Sequence, residues 1–175
     1  MTNFFRLCLI IVVIYSTPAV ADEFECGVQY QVCFSPYQHC ASQIIQLINH
    51  AKHDIFIQAY SFTLKKMAKA LVKAKRRGVT VNVIFDKSNF DGSFHSSINY
   101  LIKNGILIWN DNLSNIAHNK VMIVDRAIVE TGSFNYTVSA EKYNVENVLI
   151  IHSQGLAKQY LENWYRRARL SIPVR

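Results

Sequence analysis

His118 and Lys120 stand two residues apart in the sequence HNKVMIVD, and the sequence GSFNYT follows at residues 132–137. A neutral imidazole can attack a phosphorus atom or carry a proton, and a lysine ammonium can hold a phosphate oxygen. Ser133 and Asn135 can donate further hydrogen bonds to the same anion. Together these residue types supply what is needed to break a phosphodiester, and the chain carries the set once.

The alternation of side chains along a strand determines which of these residues can face one ligand. His118 and Lys120 point the same way if the strand begins that early, and Ser133 and Asn135 share parity. Asp125 closes the first sequence and is therefore a candidate site residue as well. Its parity is opposite to that of His118, so we expect it to fix the following turn or to hold a neighbouring segment.

Glu146 is an isolated acid in the apolar sequence NVENVLII, where a carboxylate usually needs a partner. We predict a hydrogen bond between Glu146 and His118 that fixes the imidazole tautomer and strengthens the ring as a nucleophile. No carboxylate cluster or HExxH sequence offers a catalytic metal site, so we expect no cofactor and activity in chelator. The remaining histidines lack the lysine pattern and are not expected to be catalytic: His39, His50, His53, His95 and His152.

Strand-like and helix-like sequences alternate along the chain, without internal repeats or low-complexity segments. Strands are predicted at residues 29–34, 54–60, 79–85, 106–109, 120–124, 128–131 and 145–151. Helices are predicted at residues 40–51, 64–77, 93–103 and 155–169. This order predicts an α/β domain with a mixed, largely parallel β-sheet, and with antiparallel pairing at the hairpin that contains Asp125.

Residues 1–21 have the layout of a secretory signal peptide. Arg6 precedes an apolar stretch from Leu7 to Tyr15, and Ala19-Val20-Ala21 provides a cleavage site with small residues. A membrane anchor is the alternative, but the stretch is shorter than the roughly 20 residues that a membrane span needs. We therefore predict an exported protein, periplasmic or secreted, with one domain over residues 22–175.

Export would place the remaining cysteines in an oxidising compartment after Cys8 leaves with the signal peptide. A bridge between Cys33 and Cys40 would close the loop between them, and Cys26 would then be free, buried or bonded to another molecule. A zinc site formed by these cysteines and His39 is a weaker alternative. The chain lacks the short CxxC pairs that are typical of structural zinc sites.

The net charge of the chain is +7 at pH 7, from 19 lysines and arginines against 12 acidic residues. Such a surface favours nucleic acid or an anionic membrane, although it also serves plain solubility. Much of the charge lies on the helix predicted at residues 64–77, and more lies on the last helix. A solvated outer face accounts for this charge, whereas tracking of phosphates would require this face to border the active site.

The HxKxxxxD sequence from His118 to Asp125 and the GSxN sequence from Gly132 to Asn135 resemble the signatures of the phospholipase D superfamily. The similarity extends to QAYSFT at residues 58–63, RRGV at 76–79 and VIFDKS at 83–88. In these features the chain is similar to small, single-motif bacterial members, which are secreted nucleases and nuclease-like phospholipases. The resemblance implies the phospholipase D/nuclease fold, with helices on both faces of the sheet.

The resemblance also implies a mechanism that needs no metal. His118 would attack phosphorus and form a phosphohistidine, while a second motif histidine protonates the leaving oxygen and then activates water. Lys120, Ser133 and Asn135 would bind the phosphate, and Glu146 would orient the histidine. Because the chain carries one motif, two identical subunits would meet around a two-fold axis and share one site.

The substrate is the open question at this level. A non-specific endonuclease acting on DNA or RNA is favoured by the positive charge and the small size. The alternative is a phospholipase D that hydrolyses phosphatidylcholine-type lipids, in which Phe90, Phe94 or Tyr136 could aid binding to the membrane surface. These rings could equally stack on bases or lie in the core, and the core is the favoured position. A third interpretation, an inactive module that binds DNA or membrane, is opposed by the intact set of site residues.

Overall fold

The computed structural model describes residues 22–90 and 95–174 of the chain. The predicted signal peptide at residues 1–21 lies outside the described residues, as does Phe94. Within the described residues, no helix is both long enough and apolar enough to span a membrane.

Eight strands form one sheet in the described part of the chain. They are β1 (Gln29–Ser35), β2 (Asp54–Ala59), β3 (Thr80–Asp86), β4 (Leu107–Asp111), β5 (Lys120–Val124), β6 (Ile128–Gly132), β7 (Glu146–His152) and β8 (Ile172–Val174). Their order across the sheet is β1-β7-β6-β5-β2-β3-β4-β8. The active-site candidates on β5 therefore lie near the middle of the sheet.

The helices are α1 (Cys40–His50), α2 (Lys65–Arg76), α3 (His95–Lys103), α4 (Val138–Lys142) and α5 (Gln154–Leu170), with a 3₁₀ turn at Lys87–Phe90. The four predicted helices are confirmed with small shifts of their ends. The turn, α4 and β8 were not predicted, because elements of three to five residues are too short to show a periodic apolar pattern.

The mixed sheet is confirmed, but the expectation that it is largely parallel is wrong. Parallel pairing joins β2 to β3 and β3 to β4, and the other neighbouring strands are antiparallel. Helices α2 and α3 are the crossovers that make the parallel pairs possible. Of the antiparallel partners, β5 and β6 are joined by a tight hairpin, β6 and β7 by the segment that contains α4, and the others lie far apart in sequence. A strand pattern does not reveal its partner.

Apolar side chains pack on both faces of the sheet, and this confirms helices on both faces. One core lies under α1, α2 and α3, with Ile44, Leu71 and Ile98 fully buried. The other core lies under α5, where the Phe56 and Trp164 ring centroids are 4.9 Å apart. Burial of such side chains is the main force that holds the helices to the sheet.

The structure pairs Cys33 with Cys40 in a disulfide that links the end of β1 to the first turn of α1. Cys26 is exposed and has no bonded partner among the described residues. With both sulfurs in one bond, Cys33 and Cys40 cannot act as zinc ligands, so the zinc alternative is excluded.

Candidate active site

The candidate residues meet where several strands reach the same edge of the sheet. Lys120, at the start of β5, pairs with Ala59 at the end of β2. Directly beyond this pair, the Tyr60 N–H donates to the Asn119 carbonyl at 2.9 Å. Glu146 begins β7 beside the end of β6, after which Ser133 follows. Residues far apart in sequence thus lie together where these strands begin or end.

His118 is exposed at this edge, and its imidazole lies between Lys120 and Tyr60. The Lys120 Nζ is 3.1 Å from the His118 Nδ1 and donates to the His118 carbonyl at 2.9 Å. The Tyr60 and His118 ring centroids are 4.5 Å apart. The two motif side chains adjoin, as strand alternation predicts, and the Tyr60 ring supports the imidazole from its side.

The contact with Lys120 determines which imidazole nitrogen carries a proton. A lysine ammonium has donors and no acceptor, so Nδ1 must be the acceptor in this pair. The proton of a neutral His118 ring then lies on Nε2. In this tautomer the free lone pair is on Nδ1, so attack on phosphorus through Nε2 requires the proton to move to Nδ1 and the contact with Lys120 to change.

The ammonium of Lys120 is buried beside one carboxylate. Burial lowers the pKa of Lys120, while the negative charge of Glu146 acts in the opposite direction, and the net pKa is below the ordinary value. Only 6% of the Lys120 residue surface is exposed. A poorly hydrated cation near the site opening is suited to holding a phosphate oxygen.

Glu146 contacts Ser133 rather than His118, which contradicts the hydrogen bond expected from the sequence. The Ser133 hydroxyl donates to one carboxylate oxygen at 2.6 Å, and the Asn144 amide donates to the other at 2.9 Å. No hydrogen bond from His118 to this carboxylate occurs among the described residues. The pairing of β6 with β7 brings the serine to the acid first, and Lys120 occupies the Nδ1 side of the imidazole.

The turn after β6 depends on a glycine at its first position. A Cβ atom on Gly132 would overlap the Asn147 carbonyl oxygen, which accepts the Ser133 N–H at 3.1 Å. The Asn147 N–H also donates to the Ser133 hydroxyl at 3.0 Å. Gly132 therefore allows the close approach that fixes Ser133 against the start of β7.

Asn135 follows in the same turn and is half-buried. Its side-chain oxygen is buried and has no hydrogen-bond partner within the described part of the chain. A buried acceptor without a partner costs free energy, so this oxygen requires a donor from a bound ligand, whereas only the Asn135 amide nitrogen can donate to a phosphate oxygen.

The structure places Asp125 at the opposite end of β5 from His118, so its inclusion among the catalytic candidates is wrong. Its carboxylate accepts the backbone N–H groups of Lys52, His53 and Asp54 at 2.9, 2.7 and 3.1 Å. Burial acts to raise the pKa of Asp125, but these hydrogen bonds outweigh burial and the net pKa is lowered. The expected structural role, holding a neighbouring segment, is confirmed.

Asp86 at the end of β3 and Asn89 in the following 3₁₀ turn position the backbone of the candidate site, and the sequence reasoning missed both. The Asp86 carboxylate accepts the Ala117 N–H at 2.6 Å, directly before His118. Burial acts to raise the pKa of Asp86, but hydrogen bonds from Ser88 and Ala117 outweigh burial and the net pKa is lowered. Asn89 is buried and donates to the Tyr60 carbonyl. Polar residues directly after a buried strand were the available signal.

Tyr136 is fully buried in the larger core, which is the favoured position predicted for these aromatic residues and rules out a role at a membrane surface. Its hydroxyl donates to Glu130 at 2.7 Å. Phe90 packs partly buried against the same core, with its ring centroid 6.5 Å from that of Phe85.

An exposed histidine, a buried lysine and a serine–glutamate pair at one edge of a mixed sheet define a class of enzymes that cleave phosphodiesters. A family model described as "Cardiolipin synthase, PLD-like domain" matches residues 44–167, and the chain belongs to this phospholipase D-like family. It is a phosphodiesterase of the phospholipase D superfamily.

Relatives with curated names agree with this assignment. Phospholipase D of Rickettsia prowazekii is 42% identical over 142 residues, which are 81% of this chain and 69% of that protein. Mitochondrial cardiolipin hydrolase of Xenopus tropicalis is 31% identical over 137 residues, or 77% of this chain and 65% of that protein. The chain thus spans about two thirds of these relatives' length.

Solved structures show the same fold. The phospholipase D family member Nuc from Salmonella typhimurium matches with a TM-score of 0.81 and 39% identity, covering 85% of this chain and 99% of that one. NucT from Helicobacter pylori matches with a TM-score of 0.77 and 23% identity, covering 84% of this chain and 99% of that one. The second likeness supports the fold alone.

Proposed function

We propose that this protein is a non-specific endonuclease that cleaves DNA or RNA through a phosphohistidine at His118. The contact between the exposed His118 imidazole and the buried Lys120 ammonium is the observation that carries the proposal. It places a nucleophile or acid beside a cation that can hold the phosphate.

The reaction proceeds in two displacements. An imidazole nitrogen bonds to phosphorus as the phosphorus–oxygen bond to the leaving group breaks, and a second histidine gives its proton to the leaving oxygen. That second histidine then takes a proton from water, whose oxygen bonds to phosphorus as the nitrogen–phosphorus bond breaks. Lys120 and Asn135 stabilise the charge on the phosphate oxygens in both steps, and Ser133 contributes when its hydroxyl turns from Glu146 to the phosphate.

The second histidine is supplied by a second copy of the chain. One imidazole must be neutral to attack and the other protonated to act as acid, and histidine serves both states near neutral pH. Mixing His118→Ala subunits with wild-type subunits should give mixed dimers with impaired turnover. A monomer with full turnover per chain, measured by sedimentation and activity together, would exclude the shared site.

We also propose that the protein is exported from the cytosol. The layout of residues 1–21 and the Cys33–Cys40 disulfide both support a periplasmic or secreted enzyme. Fractionation of expressing cells and N-terminal sequencing test this. A mature N-terminus at Asp22 in the exported fraction supports it, and uncleaved protein in the cytosol contradicts it.

The substrate class is tested with purified protein and chelator. Plasmid DNA, single-stranded DNA, RNA and phosphatidylcholine vesicles are supplied separately, and cleavage products are measured. Cleavage of nucleic acid without choline release supports the endonuclease. Choline release alone contradicts it, and loss of all activity in chelator contradicts the metal-independent mechanism.

Phospholipase D activity is the second candidate, and exposed apolar residues favour it. Leu113 and Ile116 are 65% and 56% exposed in the segment before His118, and Val145 is 89% exposed directly before Glu146. Apolar side chains around a site opening can enter a lipid surface. If this is their role, Leu113→Ser with Ile116→Ser should reduce choline release and leave cleavage of a short oligonucleotide unchanged.

A further inference from the structure

Helix α2 presents a stripe of lysines along one exposed face. Lys65, Lys69 and Lys73 are exposed and four residues apart, so they lie on the same side of the helix. Successive members are about 6 Å apart along the helix axis, given its rise per residue. The stripe therefore forms a line of positive charge about 12 Å long.

This charge is not neutralised by the acidic residues of the described chain. The ion pairs within residues 22–90 and 95–174 join Arg126 to Asp54 and Arg167 to Asp111, and neither involves α2. At the far end of α2, Arg77 donates to the Ile48 carbonyl at 3.0 Å, so that end is held by structural contacts. The lysines nearer the active site remain available for an anion.

The first turn of α2 lines a groove of about 740 Å³. Lys65, Lys66, Lys142 and Tyr143 line this groove, which lies between α1, α4 and the start of α2. Its one acidic lining residue, Glu141, accepts the Ala41 N–H at 2.9 Å.

Two lining residues of the groove connect it to the candidate site through their neighbours. Tyr143 is followed by Asn144, whose amide donates to the site carboxylate of Glu146. On the opposite side, the Thr63 N–H donates to the Tyr136 carbonyl in the turn that carries Asn135. A polymer that extends from the candidate site past Asn144 and Tyr143 would therefore reach the groove where the lysine stripe begins.

We propose that the lysine track, defined as Lys65, Lys66, Lys69, Lys73 and Lys142, binds the phosphates of a single-stranded nucleic acid beside the scissile bond. Several charges in a line match a polymer with a phosphate on each nucleotide, and exposed Tyr143 offers a ring on which a base can stack. This inference rests on the proposed nuclease function, because it extends the same site.

An anionic membrane is the competing partner for a basic helix, and the burial of α2 argues against it. A helix that lies in a membrane surface presents an apolar face to the lipid. The apolar side chains of α2 are instead buried in the protein core: Met67, Ala68, Ala70, Leu71, Val72 and Ala74. The exposed face of α2 offers charge without an apolar side chain that could enter a bilayer.

The test compares two triple variants that remove the same charge. The first is Lys65→Gln/Lys69→Gln/Lys73→Gln on the track. The second carries the same change at exposed lysines elsewhere, at positions 52, 103 and 158. Each is measured for cleavage of a 30-nucleotide single strand and of bis(p-nitrophenyl) phosphate. Binding of the 30-mer is measured separately by fluorescence anisotropy in a His118→Ala background.

The track variant should bind the 30-mer at least roughly tenfold more weakly, and its dependence of log affinity on log salt should flatten by about 2 for three lost contacts. Its KM for the 30-mer should rise in parallel, and its turnover of the small diester should stay within about twofold of wild type because no polymer contact is involved. The control variant should show much smaller changes in each of these measurements.

Equal weakening in both variants, or unchanged binding in the track variant, would overturn the lysine track. Wild-type protein that binds the 30-mer through the track but cleaves no nucleic acid would retain the track and refute the proposed nuclease. A track variant that loses binding to phosphatidylglycerol vesicles while it binds the 30-mer normally would assign the stripe to a membrane and overturn the proposal.

Discussion

The two ends of β5 carry the two halves of one short signature, and the structure uses them differently. At the first end, His118 is exposed and its imidazole contacts the buried Lys120 ammonium. At the other end, about 20 Å away along an extended chain, the Asp125 carboxylate accepts three backbone N–H groups. The first end is open to a ligand, and the second is closed by the protein itself.

Within eight consecutive residues, the side chain proposed for catalysis is thus distinct from the side chain that stabilises the fold. The side chain of His118, which we propose contacts substrate, remains exposed, whereas the Asp125 carboxylate has its hydrogen bonds supplied by the loop that it holds. Membership of a family signature therefore does not make a residue catalytic. The partners of each side chain decide its role.

His118→Ala should produce the largest effect at the open end. We expect turnover of bis(p-nitrophenyl) phosphate to fall by at least about 10³-fold, because both displacements need the imidazole. The free energy of unfolding in urea should change by less than about 1 kcal/mol, because the side chain is exposed. Activity within tenfold of wild type would contradict the catalytic role proposed for His118.

Lys120→Met should follow in size, with turnover lowered by about 10²–10³-fold through loss of the charge that stabilises the phosphate oxygens. Lys158→Met, at an exposed position on α5, is the matched control and should leave turnover unchanged. An equal loss in both variants would show that general charge, rather than the site cation, is responsible.

Glu130 lies between the two ends, paired with Met122 of β5 and fully buried. Burial raises the pKa of Glu130 to about 8, while the hydrogen bond from Tyr136 acts in the opposite direction. The folded protein therefore retains a proton that the unfolded chain loses above its ordinary pKa near 4.5. The stability contributed by this proton is complete below pH 4.5 and is lost as pH rises through about 8.

Comparison of wild type with Glu130→Gln tests whether Glu130 makes the protein less stable as pH rises. Urea unfolding at several pH values should show wild type losing ~4 kcal/mol relative to the variant between pH 4.5 and 8, because glutamine cannot ionise. Parallel stability curves for the two proteins across this range would show that Glu130 is already ionised in the fold.

Asp125→Ala should give the smallest of these effects and the sharpest contrast with His118→Ala. We expect a loss of about 2 kcal/mol in the free energy of unfolding, because several backbone N–H groups lose their acceptor. Turnover by the folded protein should stay within about threefold of wild type. A stably folded variant without activity would show that Asp125 takes part in catalysis.

The pH dependence of Asp125 has the opposite sign to that of Glu130. Its pKa is lowered in the fold, so its stabilising contribution is present above the ordinary aspartate pKa and is lost as pH falls through the lowered value. Wild type and Asp125→Ala should therefore converge in stability under acid conditions.

Much of the fold could be predicted from the sequence because its elements are local. The helices at α1, α2 and α5 and the hairpin of β5 and β6 are visible in apolar spacing and turn residues. The proportion of parallel pairing was not predictable in this way. It depends on which strands become neighbours, and β1 pairs with β7 across more than 100 residues.

The members of the site were predicted better than their contacts. His118, Lys120, Ser133 and Glu146 do meet at one edge. The partner of Glu146 was wrong because the register of β6 against β7 sets it, and register is a long-range property. Tyr60 lay within a sequence that was noted only for its resemblance, and its stacking on His118 required the β2–β5 pairing.

The central claim is that His118 carries the phosphoryl group during turnover. A ³²P-labelled diester substrate is mixed with enzyme, the reaction is quenched with alkali within one turnover, and the labelled peptide is mapped. We expect an acid-labile label on the peptide that contains His118, and no label on the His118→Ala protein. A label on another side chain, or no covalent label at any time while product accumulates, would contradict it.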